Sequence, residues 1–124
     1  MEKIETHIDE ERDLTVHTIK QQLGLKEFQD KISEFFRGKI TRFRIWDFSE
    51  VSIDSQFSSD DASKLVNFAS QFSRPDGKTA LVAPNPLDYG CSRMLETYME
   101  LEQPDFKLLV CRNYQEALDW FNSE

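Results

Sequence analysis

Residues 79–102 constrain the fold of this chain more than any other stretch of its sequence. Residues 80–83, ALVA, form an unbroken apolar run, which is typical of a strand covered on both faces. Pro84 and Pro86 cannot continue a sheet ladder, so they predict a turn directly after this strand. Apolar residues then recur every three or four positions, which predicts one buried face of a helix: Cys91, Met94, Leu95, Tyr98 and Leu101.

The other segments continue this alternation of strands and helices. Residues 3–8 and 14–19 alternate apolar and polar side chains around an acidic turn, which predicts an antiparallel hairpin. Residues 40–48 and 106–111 predict two more strands, and helices are predicted after Gly24, after residues 58–61 and after the Asn113–Glu116 capping box. The order β-β-α-β-α-β-α-β-α predicts an α/β fold. Its sheet of about five strands is mainly parallel, with helices on both faces and one antiparallel edge strand.

A single hydrophobic core is predicted from the shared phase of apolar residues on these elements. The chain has an apolar content of 39% and ten phenylalanines, enough for one domain over residues 1–124. The residues predicted to form that core are Phe28, Ile32, Phe43, Ile45, Leu65, Phe68, Leu81, Val82, Met94, Tyr98, Leu109 and Leu118.

The charge and the termini of the sequence exclude several classes of partner. Lys and Arg number 15 against 23 Asp and Glu, so the formal net charge is −8. Such a surface repels phosphate backbones, and nucleic acid is not an expected partner. Two cysteines do not make a disulfide framework, and residues 1–5 lack the features of a signal peptide. No apolar run approaches a membrane span, so a cytoplasmic location is predicted.

Three segments resemble a family of small bacterial domains. Residues 47–55, DFSEVSIDS, resemble the strand-end motif of STAS-type anti-sigma-factor antagonists, in which Asp-x-Ser-x-Val leads to an Asp-Ser before a helix. Residues 81–94 look like the signature of SpoIIAA-like proteins, and residues 110–121 resemble their terminal strand and helix. The resemblance spans nearly the whole chain.

The resemblance implies a regulatory or protein-interaction domain that needs no cofactor and is not an enzyme. In the antagonists, the Ser after the second Asp is phosphorylated by a partner kinase, and the matching residue here is Ser55. A phosphate on Ser55 would lie near a helix N-terminus, where negative charge is favoured. The alternative is that Ser55 and the serines around it are ordinary turn and capping residues.

A binding surface is predicted where loops follow the strand C-termini, because open α/β sheets bind ligands there. Tyr89 and Arg93 are predicted to flank this surface and to contact a partner carboxylate or a small anion. The alternative is that Arg93 forms a structural ion pair with Asp88 or Glu96. The whole predicted surface comprises Asp47, Asp54, Ser58, Asn85, Tyr89 and Arg93.

The remaining candidates, histidines, aspartates and Cys91, are better explained by structural roles than by metal binding or catalysis. His7 and His17 lie on neighbouring strands and could face each other, but two histidines do not make a zinc site. Five aspartates near strand ends could hold Mg²⁺ or transfer protons, but their spacing matches no metal loop, so no metal is predicted. Cys91 is predicted to be a small buried apolar residue rather than a reactive thiol.

Two further expectations concern binding. The competing function is a module that binds a small molecule or a lipid with the loops at the strand C-termini. Trp120 and Phe121 are adjacent, so both cannot point to one side of their helix and at least one should be partly exposed. An exposed aromatic side chain predicts an interface, and self-association as a homodimer is therefore expected alongside a protein partner of unknown identity.

Overall fold

The computed structural model describes residues 3–38, 40–51, 59–69, 76–85, 93–94, 96–98, 100–101 and 107–123. Its strands are β1 (Ile4–Asp9), β2 (Leu14–Ile19), β3 (Phe43–Asp47), β4 (Lys78–Val82) and β5 (Lys107–Cys111). Its helices are α1 (Leu25–Arg37), α2 (Ser59–Ala69) and the C-terminal helix (Tyr114–Phe121). Residues 93, 94, 96–98, 100 and 101 are also helical.

The five strands form one mixed sheet. They lie side by side in chain order, with β1 and β2 antiparallel and the three other neighbouring pairs parallel. The predicted α/β fold with a mainly parallel sheet and one antiparallel edge strand is thereby confirmed. Residues 80–83 are all buried, as the unbroken apolar run indicated.

Helices lie on both faces of the sheet. Phe28 of α1 and Leu65 of α2 pack with Leu81 on one face, which we call the α1 face. Ala117 and Phe121 of the C-terminal helix pack on the other, which we call the opposite face. The parallel strands of this sheet follow one another in one direction. Right-handed crossovers between such strands put the connecting helices on the same face of the sheet. The C-terminal helix follows the last strand, so this rule does not constrain it.

The prediction of a single core is wrong, because the sheet separates the apolar residues into two main clusters. Successive side chains of a strand point to opposite faces, so Ile45 and Trp46 of β3 enter different clusters. The cluster on the α1 face includes Phe28, Ile32, Trp46, Leu65, Leu81 and Val110. The cluster on the opposite face includes Leu14, Ile45, Ala80, Val82, Ala117 and Phe121.

The predicted helix starts are largely correct. The N–H of Gly24 donates to Glu27 Oε1 at 3.0 Å, as expected before α1. Asn113 Oδ1 accepts the N–H of Glu116 at 2.9 Å and so caps the C-terminal helix. The reciprocal half of the predicted capping box differs, because Glu116 Oε2 accepts the N–H of Arg112 instead, at 2.9 Å. The N-cap itself satisfies one of the free N–H groups of the first turn.

Candidate functional site

The candidate site lies at the sheet edge where the parallel strands β2 to β5 end. The register aligns Thr18, Asp47, Val82 and Cys111 across these strands. The loop after β3 leaves the sheet here, and Asn85 lies in the turn just beyond β4. This is the edge at which open α/β sheets usually bind ligands and partners.

Asp47 is the buried anchor of this edge. Asp47 is only 5% exposed. Asp47 Oδ1 accepts the N–H of Ser49 at 2.8 Å, and Oδ2 accepts the hydroxyl of Tyr114 at 3.0 Å. The carboxyl group therefore joins the start of the loop after β3 to the first residue of the C-terminal helix, and it fixes the direction in which that loop leaves the sheet.

Tyr114 supplies the donor in this contact. Burial of the phenol, together with the nearby Asp47 carboxylate, raises the pKa of Tyr114 above its ordinary value. The hydroxyl therefore stays protonated throughout the physiological pH range and remains a hydrogen-bond donor. Sequence analysis missed this residue, and the available signal was its position directly after the N-cap Asn113 at the end of β5.

Tyr114→Phe is expected to lower the free energy of unfolding by about 1 kcal/mol, because it removes one hydrogen bond to a buried carboxyl group. The cost stays at this low level because Tyr114 is partly exposed and water can reach its position. Urea denaturation measures the change. Tyr98→Phe is the matched control, since the Tyr98 hydroxyl has no hydrogen bond among the described residues. Equal losses in the two variants would contradict an anchoring role for Tyr114.

A charged contact holds the same loop at its outer side. Lys20 Nζ, just beyond β2, lies 2.8 Å from Glu50 Oε2 and 3.8 Å from Glu5 Oε2. The hydrogen bond with Glu50 raises the pKa of Lys20. Exposed pairs of this kind contribute little to stability, so Lys20 and Glu50 mainly set the charge pattern of the edge.

Two of the predicted surface residues beyond Asp47 are described, and both are exposed. Asn85 lies in the turn after β4. The Arg93 side chain is 60% exposed, and its Nη1 lies 3.1 Å from Glu96 Oε1. Glu96 Oε2 in turn accepts the N–H of Val110 in β5, at 3.3 Å. Arg93 therefore forms the structural ion pair that was one of its two predicted roles, while its guanidinium stays accessible to solvent.

The other predicted site residues lie outside the described part of the chain. They are Asp54, Ser55, Ser58 and Tyr89, together with Asp88 and Cys91. Their places in the site stay predictions.

The two histidines do not come together. Thr6 is the register partner of His17, whereas His7 pairs with Val16, so the two rings lie on different faces of the sheet. The suggestion that they face each other is therefore wrong. Within the described ranges, no group of three or more His, Cys, Asp or Glu could hold a metal ion. Among the helices described, none is long and apolar enough to cross a membrane.

Comparison with solved structures identifies the fold. No family model and no curated protein matches the sequence. The NMR structure of the protein TM1081 is similar, with a TM-score of 0.53 and 21% identity over 96% of this chain and 88% of that one. The structure of the Bacillus cell fate determinant SpoIIAA in the phosphorylated form is also similar, with a TM-score of 0.52 and 17% identity over 94% of this chain and 97% of that one. The chain has a SpoIIAA/STAS-like fold, as its sequence resemblance predicted.

Proposed function

We propose that this protein is a small cytoplasmic regulatory domain that binds another protein and does not catalyse a reaction. The main support for this proposal is the SpoIIAA/STAS-like fold. In this chain the buried Asp47 lies at the end of β3, just before the segment of sequence that contains Ser55. That anchor holds the first residues of the loop through the N–H of Ser49.

Ser55 is the proposed switch of this domain. It lies between Asp47, which ends β3, and Ser59, which begins α2, so a phosphate on it would lie near the N-terminus of that helix. Phosphorylation adds nearly two negative charges and three strong acceptor oxygens. Glu50 already places a carboxylate on this edge, and the added charge would repel an acidic partner surface. The phosphorylated form of the similar SpoIIAA structure supports this choice of modification.

Arg93 is the proposed contact for a partner carboxylate. Its exposed guanidinium is the only basic group in the sequence between Lys78 and Lys107. Its partner Glu96 is on the same helical segment and its side chain is only 17% exposed, so Arg93 would keep this ion pair and offer its remaining N–H groups to the partner. A bidentate contact with a carboxylate would be stronger and geometrically specific. Asn85 and Tyr89 complete the proposed surface.

Affinity capture from the native cytoplasm tests the proposal. The wild type and Ser55→Ala are expected to capture the same partner, whereas Ser55→Asp loses it and Arg93→Ala weakens its capture about tenfold. Arg42→Ala is the matched control, since Arg42 lies at the opposite edge of the sheet and its Nε donates to the carbonyl oxygen of Asp76. Thermal unfolding of each variant checks that the fold is intact. Equal capture by all five proteins would contradict the proposed surface and its switch.

The competing functions stay predictions. A ligand-binding module would use the loops at the strand C-termini, whereas one cavity lined by described residues lies at the other edge of the sheet. Self-association was predicted from the adjacency of Trp120 and Phe121. Phe121 is 6% exposed, and Trp120 is half-buried with Lys78 Nζ 5.1 Å from its ring centroid, so only part of one aromatic ring is available for a homodimer interface.

A further inference from the structure

Strand β1 leaves one edge of the sheet open. It pairs with β2 on one side, and no described strand lies on its other side. Residues 4–9 pair with β2 without a bulge and contain neither proline nor lysine. Bulges, prolines and lysines are the features that usually prevent an edge strand from pairing further. The edge of β1 can therefore accept another strand.

Alternate residues of β1 direct their backbone groups away from the sheet. The C=O of Lys3 accepts the N–H of Lys20 at 2.8 Å, so these two residues form a hydrogen-bonded pair of the β1–β2 ladder. Such pairs recur at every second residue, so the odd-numbered residues of β1 bond to β2. The N–H and C=O groups of the even-numbered residues point outwards, and these residues are Ile4, Thr6 and Ile8.

The same alternation distributes the β1 side chains between the two faces of the sheet. Ile4 packs in the cluster on the α1 face, so the side chains of Thr6 and Ile8 point to that face as well. Both residues are exposed, Ile8 to 44%, so α1 does not cover them. The exposed side chains of Glu5 and His7 point to the opposite face. Ile8 is therefore a large apolar side chain left at an unpaired edge.

A second copy of β1 matches this edge when a two-fold axis passes through Thr6 at right angles to the sheet. Thr6 then lies across from Thr6 of the second copy, and the α1 faces of both sheets lie on the same side. Ile4 of each copy lies across from Ile8 of the other. These are the residues whose backbone groups point outwards, so the two strands can form about six backbone hydrogen bonds.

The side chains brought together in this register are complementary. On the α1 face, the exposed Ile8 packs against Ile4 of the second copy. On the opposite face, Glu5 lies across from His7, whose imidazole donates a hydrogen bond to a carboxylate whether neutral or charged. The Glu5 side chain is 70% exposed, and its Oε2 is 3.8 Å from Lys20 Nζ, too far for a hydrogen bond. Apolar pairs and opposite-charge pairs of this kind stabilise antiparallel strands.

Other registers of the same two strands are less favourable. An axis through Glu5 places that carboxylate across from its own copy, and an axis through His7 places Glu5 across from Asp9 of the second copy. Like charges directly across from each other destabilise a strand pair. An axis between two residues would set an outward-pointing backbone group against one already bonded to β2. The sequence of the strand therefore favours the register centred on Thr6.

We propose that the edge of β1 binds β1 of a second copy of this chain, antiparallel and centred on Thr6, which joins two sheets into one. This interface contains neither Trp120 nor Phe121, and it contains no residue of the proposed partner surface. The proposal is therefore independent of the proposed function. Two strands of six residues make a small interface, so a dissociation constant between about 10 µM and about 1 mM is expected.

Sedimentation velocity of the full chain from about 10 µM to about 1 mM tests the proposal, and the wild type is expected to shift from monomer to dimer over this range. His7→Glu places Glu5 across from a second carboxylate at both symmetry-related pairs. This variant is expected to raise the dissociation constant about tenfold. Adding Glu5→Lys to His7→Glu restores opposite charges, and the double variant is expected to return to within about threefold of the wild type.

Asn67→Glu is the matched control for added charge. Asn67 is an exposed residue of α2, whose Val66 packs with Leu108 of β5, the strand farthest from β1. The substitution adds one negative charge far from the proposed interface. It is expected to leave the dissociation constant within about twofold of the wild type at physiological ionic strength.

Amide hydrogen exchange of the ¹⁵N-labelled chain identifies the strand that pairs. The N–H groups of Thr6 and Ile8 are expected to exchange fast at low chain concentration and more slowly at high concentration, because they enter new backbone hydrogen bonds. The N–H of His7 bonds to β2 in the monomer and is expected to be protected at both concentrations. In His7→Glu, exchange at Thr6 and Ile8 is expected to stay fast at high concentration.

Three results would overturn the proposal. The first is a strict monomer up to about 1 mM. The second is an equal loss of association in His7→Glu and Asn67→Glu, which would show repulsion by net charge only. The third is a dimer without slower exchange at Thr6 and Ile8, which would use another surface. Circular dichroism checks the fold of each variant, and recovery in the double variant separates a lost charge pair from a damaged strand.

Discussion

Replacing Leu81 by alanine is expected to lower the free energy of unfolding by about 2–5 kcal/mol. Leu81 lies in β4, has strands on both sides and is 6% exposed. It belongs to the cluster on the α1 face, with Trp46, Leu65 and Val110 around it. The substitution removes three buried carbon atoms and leaves a cavity that strand and helix neighbours cannot fill without moving.

Leu101→Ala provides the matched control, because the same atoms are removed there and Leu101 is 74% exposed. The prediction that Leu101 lies on the buried face of its helix is therefore wrong. The loss from Leu101→Ala is expected to stay within about 0.5 kcal/mol. Urea denaturation of both variants gives the comparison. A loss below roughly 1 kcal/mol for Leu81→Ala would show that β4 is not central to the stability of the sheet.

Acidification from about pH 8 to about pH 5 is expected to cost the fold about 2 kcal/mol through His17. His17 is 1% exposed, its Nδ1 lies 3.1 Å from Thr6 Oγ1, and its Nε2 is buried without a hydrogen-bond partner among the described residues. Burial, together with the charges of Arg44 and Lys31, lowers the pKa of His17 from 6.5 to about 3.

The sign of this effect follows from proton binding. Below pH 6.5 the unfolded chain binds a proton at His17, but the folded chain does not do so until about pH 3. Protons therefore favour the unfolded state, and the slope approaches about 1.4 kcal/mol per pH unit between these values. The stability contributed by neutral His17 is complete above pH 6.5 and is lost as the pH falls.

Urea denaturation at both ends of this pH range measures the cost. His17→Gln is expected to remove most of the pH-dependent loss of about 2 kcal/mol, even if the variant is less stable at every pH. His7→Gln is the control, since His7 is exposed on the edge strand β1, and this variant should keep the full loss. An unchanged pH dependence in His17→Gln would show that another group causes the acid sensitivity.

Local patterns in the sequence determined most of the secondary structure. The apolar run at residues 80–83 predicted a strand buried on both faces, and Gly24 with Glu27 predicted the start of α1, because these signals depend on neighbours only a few residues away. The alternation of strands and helices predicted a mainly parallel sheet. The family resemblance predicted the fold that the solved structures show.

The site was only partly predictable for a physical reason. Asp47 could be placed at a strand end from the sequence, but its partner Tyr114 is 67 residues away. Their contact depends on the C-terminal helix packing on the opposite face, and no local periodicity encodes which face a terminal helix takes. Asn85 and Arg93 were predicted to belong to the surface because they follow β4, and that assignment stays a prediction.

Tertiary structure alone decided the features that involve both faces of the sheet. The strand register sends His7 and His17 to different faces, and burial under α1 then makes His17 a neutral interior residue. The apolar residues form two clusters, not the predicted single core, for the same reason. Successive side chains of each strand point to opposite faces of the sheet. The groove lined by Leu14, Phe43 and Leu118 exists because a short terminal helix meets a turn more than 100 residues earlier in the chain, a proximity set by the sheet order and not by any local pattern.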